Sequence, residues 1–216
     1  MTESLTLYTN PMSRGRIARW MLEEVGCSYE TVLLEYGTTM KSADFLAVNP
    51  MGKVPTIRHG DTIVTEAAAI CAYLADAFQD AGLAPPPGNS RRGTYYRWLF
   101  FAAGPVEAVV TAKSLGLLAP ADKAAMAGYG TFEDTIGALE TAVSGGPYIC
   151  GDQFTAADVY VGSQIGWGMM FGSIEKRPAF EDYYARISDR PAAKRAAELD
   201  DALMAEVQNR PQPTQA

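Results

Sequence analysis

Residues 49–67 read Asn-Pro-Met-Gly-Lys-Val-Pro-Thr-Ile-Arg-His-Gly-Asp-Thr-Ile-Val-Thr-Glu-Ala. Two short β-rich runs, Val54–Arg58 and Thr62–Thr65, flank His59-Gly60-Asp61, and that is a hairpin signal. Glu66 then opens an Ala-, Ile- and Leu-rich helical run to Phe78. Upstream, a short helix from about Ser42 to Val48 ends before Asn49-Pro50, since proline disfavours helix in the residue before it. Further back lie a β-rich run at Tyr29–Leu34 and a helix from Ser13 to about Val25. In that helix Ile17, Met21 and Val25 share one face beside Trp20, and Gly26 is the expected left-handed stop. Leu5–Tyr8 is the first strand. The order is βαβαββα.

Downstream the pattern changes. Gly82 to Ser90 carries three consecutive prolines between glycines, which cannot continue a helix and read as a semi-rigid linker. Beyond it the signals are helical, at about 91–115, 121–143, 155–168, 178–188 and 192–206. Pro120, Pro178 and Pro191 stand near helix starts, where proline is tolerated. The expected organisation is α/β plus all-α: an α/β domain at 1–80, a linker at 81–90 and an all-α domain at 91–216. The polar, Pro-rich stretch from Gln208 onward is expected to fray.

Composition removes several function classes. The 216 residues carry a formal charge of −7, so phosphate backbones are repelled and nucleic acid is not an expected partner. No stretch reaches the roughly 18 apolar residues of a membrane helix, and Met1–Thr9 lacks a secretory pattern. Cys27, Cys71 and Cys150 are odd in number and far apart, which fits buried thiols in a reducing cytoplasm. With His59 as the single histidine, read as a turn residue, no metal site is expected.

Four segments carry chemistry, each open to a plainer reading. Ser13, in Asn10-Pro11-Met12-Ser13-Arg14-Gly15-Arg16, is either a helix cap or a hydroxyl that donates to a docked thiolate. A helix N-terminus favours an anion and lowers a thiol pKa from about 8.5. Pro55 is either an ordinary proline opening an edge strand or a cis residue. A cis bond would turn the backbone of Val54 outward, where a small peptide could pair with it as an added strand. Glu66 either complements a helix dipole, or holds a ligand ammonium while the N–H of Ala67 takes a ligand carboxylate. Phe154-Thr155-Ala156-Ala157-Asp158-Val159 is structural: a capping box with Asp in place of Glu, and a hydrophobic staple. Such a cap contributes about 0.5–2 kcal/mol.

In this order and spacing, Ser13-Arg14-Gly15-Arg16 to Gly26, Phe45 to Pro55, Thr65-Glu66-Ala67 and the Thr155 box resemble soluble glutathione transferases of a bacterial type with a Ser-type active site. The resemblance covers nearly the whole chain. It implies a thioredoxin-like N-terminal domain, a helical C-terminal domain, a homodimer and a role in detoxification. Glutathione would be the co-substrate, with no further cofactor. By analogy Val54 would pair with the cysteinyl part of glutathione across a cis Pro55. Glu66 and Ala67 would hold its γ-glutamyl end, and Lys53 with Lys41 would reach its glycyl carboxylate. Ser13 would stabilise the thiolate, with Tyr8, Asn10 or a backbone N–H as rivals for that role. The family usually has Ser where Ala67 stands, and the lost hydroxyl contact is worth about 0.5–1.5 kcal/mol.

The helical half would supply a pocket for a small apolar electrophile, with Tyr96, Phe100 and Trp167 as candidates. The alternatives are a non-catalytic member that binds glutathione or a protein, and a glutathione-dependent peroxidase or isomerase.

Overall fold

The computed structural model describes residues 3–209. From Arg210 on, the stretch expected to fray lies outside the described residues. Strands β1 (Leu5–Thr9), β2 (Glu30–Leu33), β3 (Thr56–His59) and β4 (Thr62–Thr65) form one four-stranded sheet in the order β2-β1-β3-β4. β2 is parallel to β1, whereas β3 and β4 continue antiparallel. With α1 (Gly15–Val25) and α2 (Ala43–Val48) between them and α3 (Ala67–Ala77) after β4, the expected βαβαββα order is found. His59 is the last residue of β3, opposite Leu5 and Thr62, so it is a strand residue and not the turn residue expected.

Strand alternation sorts β1. Leu5 and Leu7 are buried on one face. Tyr8, on the other, packs with Val48 and Val54 against the cluster of Leu34, Met40 and Phe45.

By contacts, residues up to Ile70 group with those from Pro191 onward, and Cys71–Arg190 form a second unit. The chain thus returns to its first unit at α9 (Pro191–Gln208), which packs along α1. Two adjacent carboxylates of α9 meet two arginines of α1. Arg19 Nε donates to Asp200 Oδ1 at 2.8 Å, both side chains being buried, and Arg16 donates to Asp201 at 2.7 Å. Burial disfavours the Arg19 charge, but Asp200 and Tyr29 outweigh it and hold the guanidinium above its ordinary value. Burial also lifts the Asp200 carboxyl, against the pull of Arg19. Tyr29, whose hydroxyl donates a hydrogen bond to Glu23 and accepts one from Arg19, is pushed up to about 12, first by burial.

The second unit holds α4 (Arg91–Phe101), α5 (Glu107–Ser114), α6 (Phe132–Ser144), α7 (Ala156–Phe171) and α8 (Pro178–Ser188). The single helix expected at 91–115 is interrupted by a π-helical turn at Ala102–Val106, because Pro105 has no N–H to give to the regular ladder. The helix expected at 121–143 is two pieces, a 3₁₀ turn at Ala121–Met126 and α6, which starts at its Thr131 cap after Gly128-Tyr129-Gly130. α7 is buried almost all round, and α8 lies very close to it. A Cβ on Gly162 would come 2.0 Å from Ile187 Cδ1, and one on Gly166 would come 2.3 Å from the Tyr184 ring. Cys71 and Cys150 are buried as expected, Cys27 is only half-buried, and all three are free thiols. Among the described residues no helix is long and apolar enough to cross a membrane.

The capping box is present at the start of α7, and Asp158 does more than cap. Its Oδ2 accepts from the Thr155 N–H and hydroxyl, and its Oδ1 accepts from the Ile149 N–H and the Tyr183 hydroxyl, all within 3.0 Å. One fully buried carboxylate therefore ties α7, α8 and the 149 segment together. Asp158→Ala strands several buried donors, so it should destabilise by about 3–5 kcal/mol, well beyond the value of a cap alone. Thr155→Ala should cost about 1 kcal/mol. Urea melts of the two variants check the ranking; equal losses would mean that Asp158 only caps.

Candidate functional site

The sheet register gathers the sequence candidates at one end. Tyr8 lies opposite Thr56, and Thr56 lies opposite Thr65. At about 4.8 Å per strand these three positions span about 10 Å. Just beyond them the chain passes into the Ser13 turn, the Lys53-Val54-Pro55 segment and Glu66-Ala67. β2 is parallel to β1, with Leu33 opposite Thr9, so it also leaves at this end, toward Tyr36 and Lys41. Ser13, Lys41, Lys53, Val54, Pro55, Glu66 and Ala67 therefore all lie in the first unit, around one end of one sheet.

Two buried asparagines shape the loops there. Asn10 Oδ1 accepts the Met12 N–H, and its Nδ2 donates to the Leu34 carbonyl at 2.8 Å. Asn49 Oδ1 accepts the Met51 N–H, and its Nδ2 donates to the Lys53 carbonyl at 2.9 Å. Both open the same tripeptide, Asn-Pro-Met, and both bond an N–H two residues on, as asparagine does in turns. The sequence reading missed these roles. The repeated Asn-Pro-Met was the signal that could have revealed them.

The same bonds weigh on the rivals for thiolate stabilisation. Asn10 has its carbonyl oxygen and one amide hydrogen engaged internally, and the Tyr8 ring packs on Phe45 at 5.5 Å between centroids. Ser13 is half-buried. It precedes Arg14, which holds the cap position of α1 instead of Ser13. Its Oγ accepts the N–H of Gly15, the first helical residue, at 2.9 Å and donates to the Asn10 carbonyl at 2.7 Å.

The Val54–Pro55 bond is cis. Among the described residues no hydrogen bond reaches the backbone N–H or carbonyl of Val54. The exposed Lys41 ammonium donates to the Met51 carbonyl at 2.9 Å, beside the Lys53 segment, and keeps further donors. Lys53 itself is exposed.

Glu66 has φ 64°, the single positive value for a non-glycine among the described residues. It is exposed, and within the described residues its carboxylate has no hydrogen-bond or ion-pair partner. Left-handed backbone at a residue with a Cβ costs about 1–3 kcal/mol and collects at functional sites. Ala67 follows as the first residue of α3, whose first turn leaves N–H groups free for a ligand.

Tyr96, Phe100 and Trp167 belong to the second unit. Phe100 is 72% exposed and stacks loosely on Tyr96, at 6.5 Å between centroids. The Tyr96 hydroxyl accepts from Arg92 at 2.9 Å. Trp167 is half-buried in the last turns of α7. Their neighbours Tyr95 and Trp98 are buried core residues.

Comparison with known proteins is consistent across the chain. Residues 3–76 match the family model described as glutathione S-transferase, N-terminal domain, and residues 122–186 match glutathione S-transferase, C-terminal domain. The glutathione S-transferase GstA of Escherichia coli O157:H7 is 29% identical over 167 residues, covering 76% of this chain and 78% of that protein. The crystal structure of a glutathione transferase from Methylococcus capsulatus is similar with a TM-score of 0.77 at 29% identity, over 92% of this chain and 99% of that one. A sphingomonad glutathione S-transferase, solved with glutathione bound, gives 0.72 at 29% identity over 91% and 98%.

Glycine adopts the conformation of residue 66 without strain, at an entropic cost of about 0.5–1 kcal/mol. Glu66→Gly should therefore leave the melting temperature unchanged or raised. Glutathione affinity should fall at least about tenfold, as expected when a charged contact is lost. Thermal melts beside calorimetric titration with glutathione check both halves; a fall in both would make Glu66 a structural residue.

Proposed function

The chain belongs to the glutathione S-transferase family, and from that premise we propose how it works as a glutathione transferase. Glutathione lies across the end of the sheet, its cysteinyl backbone paired with the free N–H and carbonyl of Val54 beside Pro55. The Glu66 carboxylate holds the γ-glutamyl ammonium, and the N–H of Ala67 takes the γ-glutamyl carboxylate. Lys53 and Lys41 face the glycyl carboxylate. The observation that carries this reading is the strained, unpartnered Glu66 at the same sheet end as the unpaired Val54 backbone.

This anchoring sets the sulfur at the N-terminus of α1, where the dipole favours an anion. The hydroxyl of Ser13 turns from Asn10 to donate to the thiolate. The thiol proton passes to solvent, and the sulfur pair forms a bond to the electrophilic carbon of an apolar substrate, whose leaving group departs to solvent with the electrons of the bond that breaks. Positioning and thiolate stabilisation supply the rate, and glutathione is consumed as co-substrate with no further cofactor. Tyr96, Phe100 and Trp167 are the side chains proposed for the electrophile. The working division is a glutathione-binding domain at 1–80, a linker at 81–90 and a helical domain at 91–216 whose last helix, α9, returns to the first unit, the whole acting as a homodimer in the cytoplasm in detoxification.

A second reading is favoured by one observation. In the resting structure the Ser13 proton is directed at the Asn10 carbonyl, so a backbone N–H of the same turn could serve the thiolate instead. A non-catalytic glutathione-binding role follows if neither group acts.

Ultraviolet absorbance of bound glutathione across pH tests the scheme. The thiolate midpoint should fall clearly below that of a free thiol, about 8.5. Ser13→Ala should raise the midpoint and lower kcat about tenfold to hundredfold, with glutathione affinity within a few-fold. An unshifted midpoint in the wild type would favour the non-catalytic reading, and an unchanged Ser13→Ala would transfer the role to the backbone.

A further inference from the structure

We propose that Thr9 is a positioning residue for this reaction, its hydroxyl donating to Ser13 Oγ once Ser13 directs its own proton to the sulfur. The inference rests on the Ser13 reading above. Thr9 ends β1 and is wholly buried, yet its Oγ1 has no hydrogen-bond partner among the described residues. A valine would fill the same volume without stranding a hydroxyl, so the threonine calls for an explanation.

The space around it is kept open for a hydroxyl. A Cβ built on Gly15 would lie 1.9 Å from Thr9 Oγ1 and 3.0 Å from Ser13 Oγ. Two oxygens at 1.9 and 3.0 Å from one point are at most 4.9 Å apart. Only a residue without a side chain fits at position 15, and what its absence admits is this pair of hydroxyls.

The bonding capacity of the turn allows the exchange. Ser13 Oγ accepts one hydrogen bond, from the Gly15 N–H, and a hydroxyl has a second lone pair for another donor. When its own O–H turns away, the Asn10 carbonyl still accepts the Ser13 N–H at 3.1 Å. The Thr9 carbonyl stays bonded to the Leu34 N–H at 2.9 Å, so the exchange asks for side-chain rotation and no movement of the strand end. The exchange leaves no group stranded and gives the Thr9 hydroxyl the partner it lacks at rest. A chain from Thr9 O–H to Ser13 O–H to sulfur polarises each member, and the Ser13 proton becomes a stronger donor.

Thr9→Val, Thr9→Ser and Thr9→Ala, each also combined with Ser13→Ala, test this with glutathione as the probe and the thiolate midpoint as the readout. Thr9→Val should raise the midpoint by about half a pH unit to one unit, a roughly threefold to tenfold weaker thiolate, while its melting temperature does not fall. Thr9→Ser should hold the wild-type midpoint. Thr9→Ala should follow Thr9→Val, which separates the hydroxyl from packing and stands in if the valine does not fold. In the Ser13→Ala background the Thr9 substitutions should have no further effect. A wild-type midpoint in Thr9→Val or Thr9→Ala, beside a shifted Ser13→Ala, overturns this inference alone. So does a Thr9 effect that persists without Ser13. An unshifted Ser13→Ala overturns the Ser13 reading itself.

Discussion

The lateral register of β1, β3 and β4 is the constraint on which the site depends. Because Tyr8, Thr56 and Thr65 stand side by side, three chain segments distant in sequence emerge together. A slip of one residue in either pairing would turn Ile57 or Leu7 out of the core and carry Glu66 or Val54 away from the Ser13 turn. The buried side chains of Leu5, Leu7 and Ile57 oppose that slip, so the hydrophobic pattern of the sheet also sets the spacing of the proposed ligand groups.

Around this fixed end the loops are shaped by polar groups with all their work internal. Asn10 and Asn49 are buried and committed to backbone atoms, and they hold the turns that present Ser13 and Val54. Buried polar side chains bonded in this way are rigid, because an unmade bond in a low-dielectric interior is expensive. Three groups at this end that have no partner among the described residues contrast with them: the Val54 backbone, the Glu66 carboxylate and the Thr9 hydroxyl. A ligand or a neighbouring hydroxyl completes each in the scheme above.

Much of this was legible in the sequence, for physical reasons that also mark where legibility stopped. The four strands, the hairpin after Pro55 and the capping box at Thr155 rest on local periodicity and turn chemistry, and they appear within a residue or two of their expected places. The break at Ala102–Val106 was missed although Pro105 signals it, because a helix can absorb a proline in a wider turn. The split before α6 was missed because apolar residues continued across Gly128 and Gly130. Tyr183 as a partner of Asp158, and Asp200 as a partner of Arg19, are contacts between distant segments that no local pattern encodes. The cap position expected of Ser13 was not legible: Arg14 occupies it, and the bond from Ser13 to Asn10 depends on the exact course of the turn.

The return of α9 to α1 has a temporal meaning. Arg19 meets its carboxylate 181 residues further along the chain. A ribosome adds about 5–20 residues per second, so the arginine is made about 10–40 s before its partner exists. During synthesis the sheet and α1 can form, but with a cationic, apolar flank still bare. The unit that holds the proposed glutathione groups begins first and is completed last, and a nascent chain halted before residue 200 has every proposed ligand residue without the brace behind its first helix.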